Sequence, residues 1–204
     1  MLDLLNKKYL PDFFNSQFIP NFFVLILGIL LTYKKYSPFL IGISIFILYV
    51  YSYFIHVLFH NLPEIINMHV NLHHNYEENK HIGKRIFNLL IEIGTNILFF
   101  VIFYYFQKLL HINFVPEIII FYYGFLYTTV HIINYSIFHT ANEHVLHHDT
   151  TDNITVKTCN YGPDLMDKLF GTNYSNKFEN YNHIIPNIMI SFLITYYFYK
   201  PTLF

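Results

Sequence analysis

Ten of the thirteen histidines in the 204-residue chain fall in three clusters. These are His56 and His60; His69, His73 and His74; and His131, His139, His144, His147 and His148. Neutral imidazole is the commonest metal ligand among side chains, and ten of them suffice to clothe two ions with coordination positions left open. The spacing strengthens this reading. His56/His60, His69/His73 and His144/His148 each stand four residues apart, which on a helix brings both rings to one face, about one turn apart. His147 fills the i+3 position of the last box. Four histidines lie between His139 and His148, where thirteen in 204 would give fewer than one.

Ligand type narrows the metal. Calcium and magnesium prefer oxygen, and a structural zinc site wants four tetrahedral ligands, usually with cysteine pairs; Cys159 is the only cysteine. Imidazole suits iron, copper, zinc and nickel. Iron is favoured, because a neutral ligand set leaves the metal charge uncompensated and the ion electrophilic, as oxidation of an unactivated C–H bond demands. Ligand count alone also admits zinc, which sits above iron(II) in affinity, so zinc in the purified protein would not identify the native metal.

Not every histidine reads this way. His81, His111 and His183 stand alone and read as solvated or hydrogen-bonded interfacial side chains. His131 lies about two turns inside an apolar stretch, where a polar side chain is costly and marks function. The eight-residue step from His131 to His139 rotates about 80° and climbs about 12 Å on a regular helix. Both serve only if the helix breaks or they bind different metals. Glu143, Asp149, Asp152 and Asp164 are candidates to accept the second N–H of a ligating imidazole, and each reads equally well as a loop or turn residue. Asn160, Tyr161 and Gly162 have the composition of a turn.

The elements that must carry these residues are apolar. The chain is 54% hydrophobic and 21% aromatic, and only 12% charged, against roughly 25% charged in soluble domains. Lipid must cover part of such a surface. A net charge of −1 leaves no nucleic-acid footprint, and one cysteine excludes an intramolecular disulfide framework. No cleavable signal peptide is expected, because MLDLLNKKYLPDFFNSQ is mixed in character and no small-residue cleavage site follows.

Five apolar stretches stand out: Phe18–Thr32, Pro38–Phe59, Ile86–Phe106, Ile118–Phe138 and Ile184–Tyr199. The second, at roughly 1.5 Å per residue, is about 33 Å long and matches a hydrocarbon core of about 30 Å. The third carries one acid, Glu92. The short link 107–117 predicts an antiparallel hairpin of the third and fourth stretches. The fifth is short enough to span, re-enter or lie in the interface. The expectation is an all-α integral membrane protein, a single domain over 1–204, with four to five apolar helices. With the histidine clusters facing the cytosol, that side holds Lys7, Lys8, Lys80, Lys84, Arg85, Lys157, Lys168 and Lys177. The other holds Lys34, Lys35, Lys108 and, if the last stretch spans, Lys200. This agrees with the positive-inside rule and puts all three clusters on one face.

Three motifs carry a resemblance. The run from Glu143 to Thr172, EHVLHHDTTDNITVKTCNYGPDLMDKLFGT, combines an HxxHH box with an Asn-Tyr-Gly turn, an Asp and a Leu-Phe-Gly-Thr ending. HVLFH at His56–His60 is an HxxxH box, and VHIINYS at Val130–Ser136 carries an isolated histidine. Together these resemble the fatty acid hydroxylase/sterol desaturase superfamily over about residues 37–175. The second box departs from HxxHH: it reads HVNLHH from His69 to His74, so His74 at i+5 lies about 140° round a regular helix from His69. His69 is then either a ligand in a non-helical segment or displaced from the ligand position.

The resemblance implies a nonheme diiron membrane oxidoreductase that hydroxylates or desaturates a fatty acyl or sterol lipid with O2. It implies an electron donor, a b-type cytochrome with its reductase. The chain has no His-Pro-Gly-Gly haem motif, so these would be separate proteins. In a eukaryote the place would be the endoplasmic reticulum membrane, with the metal site towards the cytosol. Two rival readings use the same residues: an imidazole-based membrane metal transporter, and a catalytically degenerate member that binds lipid without turnover. A conduction path would place its ligands near the bilayer midplane, whereas most of these lie at helix ends.

Overall fold

The computed structural model describes residues 10–63, 81–138, 140, 160–173 and 177–203. Among them it is all-helical. Helix α1 runs Pro11–Thr32, α2 Pro38–His60, α3 Ile82–Leu109 and α4 Glu117–Ile137, each long and apolar enough to cross a membrane. A short helix, α5 (Asp164–Phe170), precedes a 3-10 turn at Tyr181–Ile184 and the last helix, α6 (Ile185–Leu203).

Local chemistry sets the ends. Ser37 caps α2 through Leu40 N→Ser37 Oγ at 3.2 Å, with Pro38 in the first position, where its missing N–H costs nothing. The α3–α4 hairpin predicted from the short link is present. Gln107 closes it by pairing both amide atoms with the backbone of Val115, each at 3.0 Å. Two helices extend beyond the apolar stretches that announce them. Helix α1 begins seven residues before Phe18, because Ser16 and Gln17 turn inward and are buried. Helix α3 begins four residues before Ile86, through the hydrophilic turn Gly83–Arg85.

The packing is that of a bundle in lipid. Its interior contains Val24, Ile41, Leu48, Ile119, Tyr122 and Ile188, all at most 1% exposed. The outside is equally apolar, with Phe39, Phe46, Leu98, Ile102 and Leu193 all at least half exposed. Large apolar side chains facing outward on this scale need a nonaqueous surround. Helices α3 and α4 approach closely at Gly124, where an added Cβ would stand 3.0 Å from Phe100 Cβ and Cγ.

Helix α6 lies antiparallel to α4 along its whole length. Asn134 Nδ2 donates to His183 O at 3.3 Å at one end. Thr129 and Ser191 meet midway at 3.3 Å, and Tyr199 OH donates to Glu117 Oε1 at 2.9 Å at the other end. Helix α6 thus packs along α4, with its start beside the end of α4. The helices therefore run alternately, which puts the ends of α2 and α4 and the starts of α3 and α6 at one end of the bundle.

Candidate metal centre

The C-terminal turn of α2 carries His56 and His60. Their Nε2 atoms stand 3.2 Å apart, with ring centroids 5.0 Å apart, as the four-residue spacing predicts. His56 is buried, and its Nδ1 bonds the carbonyl oxygen of Tyr161 at 2.5 Å. A carbonyl only accepts, so Nδ1 carries the proton and Nε2 presents its lone pair towards His60. This is the usual arrangement of a ligating histidine. The spacing fits a metal. At metal–nitrogen bonds of about 2.0–2.1 Å, two nitrogens on one ion stand about 2.9 Å apart at a right angle and about 3.4 Å apart at the tetrahedral angle.

His131 enters from α4. It is 5% exposed and its ring lies 5.8 Å from that of His56, at 63°. Tyr127 flanks it at 4.4 Å and Tyr135 at 5.4 Å. From Val130 to Ile137 the helix is π-helical, with Phe138 N→Ile133 O at 3.0 Å and Thr140 N→Asn134 O at 2.9 Å. Such segments concentrate at functional sites. The α geometry on which the His131-to-His139 step was reckoned therefore does not hold here, though His139 itself lies outside the described residues. So do His69, His73, His74, His144, His147, His148, Glu143, Asp149 and Asp152. Among the described residues no group of three His, Cys, Asp or Glu closes a metal site. They contribute the His56–His60 pair with His131 beside it.

The remaining sequence candidates fall elsewhere. Asp164, buried at the start of α5, accepts from Glu179 N at 2.8 Å, meets Gln17 Nε2 at 3.5 Å and pairs with Lys168 at 3.7 Å. Its described partners thus tie the N-terminal helix to the segment before α6. His81 precedes α3 and His111 sits in the α3–α4 turn with φ of 55°, both exposed. His183 is partly buried, with Nδ1 on Asn180 O at 2.7 Å. Burial holds its imidazole below the ordinary value, and the Asn180 contact opposes that.

Several residues were not singled out by the sequence. Asp167 receives Tyr161 N at 2.9 Å, Gly162 N at 2.6 Å and Thr172 Oγ1 at 2.8 Å. Burial pushes its carboxyl up to about 7, while these donors pull it down. Glu92, buried in α3, receives Ser136 Oγ at 3.1 and 3.2 Å. Asn88 and Asn96, also buried, flank it at four-residue spacing. That periodicity was a readable signal: a lone acid in a spanning stretch with amides one turn to either side marks an inward face. Gln17 is 1% exposed. It donates to Glu179 O at 2.6 Å and is followed by Asn21, which accepts from Tyr49 OH at 2.6 Å.

A cavity opens beside His131, between α2, α4 and the segment 160–184. Tyr49, Tyr123, Leu126 and Tyr127 line its membrane end, and Tyr161, Asp164, Asp167 and Tyr181 its outer end. It leads from His131 towards the apolar interior of the bundle.

A search of curated proteins and a search of solved structures returned no match. The family model for fatty acid hydroxylase matches residues 39–172, about two thirds of the chain, and this span contains all three histidine clusters and the Asn-Tyr-Gly turn. Membership supports an integral membrane oxidoreductase of the lipid hydroxylase type, with metal-dependent chemistry, iron in general, and a lipid substrate. The chain belongs to the fatty acid hydroxylase family.

Proposed function

We propose that this protein is a nonheme diiron enzyme that hydroxylates or desaturates a fatty acyl or sterol lipid. Two iron ions would be held by His56, His60, His69, His73, His74, His131, His139, His144, His147 and His148. Glu143, Asp149 and Asp152 would stand behind them as hydrogen-bond acceptors. Bound iron would supply activation of O2 and oxidation of a C–H bond, with electrons from a separate b-type cytochrome and its reductase. The site faces the cytosol, in a eukaryote from the endoplasmic reticulum membrane, and the chain works as one domain.

The observation that carries this reading is the His56–His60 pair. Its nitrogens converge at 3.2 Å, with the distal nitrogen of His56 held by a carbonyl, within the span that matches the family. The chain's own part is to orient these imidazoles, to keep water from the apolar side of the site, and to admit one methylene. The cavity beside His131 supports a path for the lipid. Its membrane end lies among apolar and aromatic side chains of α2 and α4, and its inner wall is His131.

Elemental analysis of the full chain, produced with iron available, tests the cofactor. About two metal ions per chain are expected. A folded protein with no bound metal would overturn the reading.

A further inference from the structure

We propose that Asp167 is the positioning residue for His56: it fixes the proton on His56 Nδ1 and aims the ring, acting through the peptide between Tyr161 and Gly162. This inference rests on the metal-binding reading above. Among the described residues Asp167 makes no hydrogen bond to an imidazole. Its Oδ2 accepts from Gly162 N at 2.6 Å, and its Oδ1 accepts from Tyr161 N at 2.9 Å. The Gly162 N–H and the Tyr161 carbonyl belong to one planar trans peptide, in which they point in opposite directions. A carboxylate that holds the N–H therefore aims the carbonyl, and that carbonyl holds His56 Nδ1. Asp167 and His56 grip opposite ends of one rigid unit. The bond at the N–H end also polarises the carbonyl and strengthens it as an acceptor.

The turn does not adopt this geometry unaided. Asn160 and Gly162 have φ of 55° and 65°, in the left-handed region that glycine tolerates and other residues mostly avoid. A second connection returns to α2. Thr172 Oγ1 donates to Asp167 Oδ1 at 2.8 Å and meets Tyr53 OH at 2.9 Å. The single hydroxyl proton of Thr172 goes to the carboxylate, so Tyr53 donates to Thr172. Tyr53 lies three residues before His56, on the same face of the helix. The loop Asp167, Tyr161, His56, Tyr53, Thr172 closes on itself and holds the His56 turn at two points. A carboxylate that only stabilised the α5 cap would need no such route back to the imidazole.

The test uses the purified full chain and cobalt(II) as the probe, with affinity and the visible absorption of the bound ion as readouts. Asp167→Asn keeps the size but sets an amide donor against N–H groups. Cobalt binding should weaken by about 10–100-fold, the range typical of outer-shell partners, and the absorption should shift. Ile119→Ala, in the core of α4, should lower thermal stability while leaving both readouts unchanged. In a His56→Ala background, Asp167→Asn should add no further loss, since coupled sites are non-additive. Unchanged affinity and absorption in Asp167→Asn would overturn the proposal, as would losses that simply multiply with those of His56→Ala. Should Asp167→Asn not fold, Asp167→Glu keeps the charge and moves the oxygens out by one methylene. A shifted absorption then supports the proposal and an unchanged one overturns it. A wild-type chain that binds no cobalt would instead refute the metal-binding reading itself.

Discussion

The contact at Gly124 makes a prediction whose size can be worked out. A Cβ there would lie 3.0 Å from Phe100 Cβ and Cγ and 3.2 Å from Cδ2, where ordinary van der Waals contact begins near 3.4 Å. Phe100 is 2% exposed and its ring is boxed by Tyr51, Tyr123 and Tyr127 at 5.9, 5.6 and 5.5 Å. It cannot swing away without moving Tyr127, which in turn lies against His131. Overpacking of this kind costs about 1–3 kcal/mol. Alanine also raises the helix propensity of the position by about 1 kcal/mol over glycine, so Gly124→Ala should lose about 0–2 kcal/mol net. Gly124→Leu gains no more propensity and must force α3 and α4 apart, at a cost of about 3 kcal/mol or more. Thermal unfolding of the two variants and the wild type in one detergent, followed by near-ultraviolet tyrosine signals, gives the order. A Gly124→Leu variant as stable as the wild type would refute the close approach of α3 and α4.

Further outcomes follow from the proposed site and from the packing around it. Protease or glycosylation mapping should place residues 75–85 and 149–182 in one compartment, the cytosol; opposite sides would disprove a shared site. Gln17→Ala should destabilise the protein by about 1–3 kcal/mol, because it removes a buried amide and strips a donor from the part-buried Glu179 carbonyl. A chemical-unfolding midpoint unchanged from the wild type would count against the tie that Gln17 makes between α1 and the segment before α6. His147→Ala and His148→Ala should abolish lipid oxidation, with His73→Ala and His74→Ala nearly as severe, whereas His111→Ala should be almost silent. His69→Ala decides whether the lengthened second box keeps its first ligand: a loss of at least about 10-fold says that it does.

Much of this architecture is legible in the sequence, because lipid imposes simple rules. Every spanning segment must satisfy its own backbone, so uninterrupted apolar runs announce α2, α3 and α4. Imidazoles four apart announce the His56–His60 pair. What the sequence obscures has physical causes. The first turns of α1 and α3 are polar and escape a hydropathy reading, although Ser16 and Gln17 are buried by partners distant in the chain. The place of α6 depends on Glu117, Thr129 and Asn134, contacts that no local pattern encodes. The π-helix at 130–137 has no compositional signature. Asp167 is hidden because it acts through a peptide group, while Asp164, the more obvious acid, is held by Gln17, Glu179 and Lys168. Glu92 was in plain view, and its Asn88 and Asn96 neighbours at four-residue spacing point to the inward face.

The most direct test of the central claim is oxidation of membrane lipids under labelled O2. Membranes containing the full chain, supplied with a b-type cytochrome and its reductase, are extracted and compared by mass spectrometry with membranes holding His147→Ala at equal protein level. The account predicts a lipid product that has gained one labelled oxygen or lost two hydrogens, formed only by the wild type and only with iron bound. Identical lipids from the two membranes, with iron present in the wild-type protein, would contradict it.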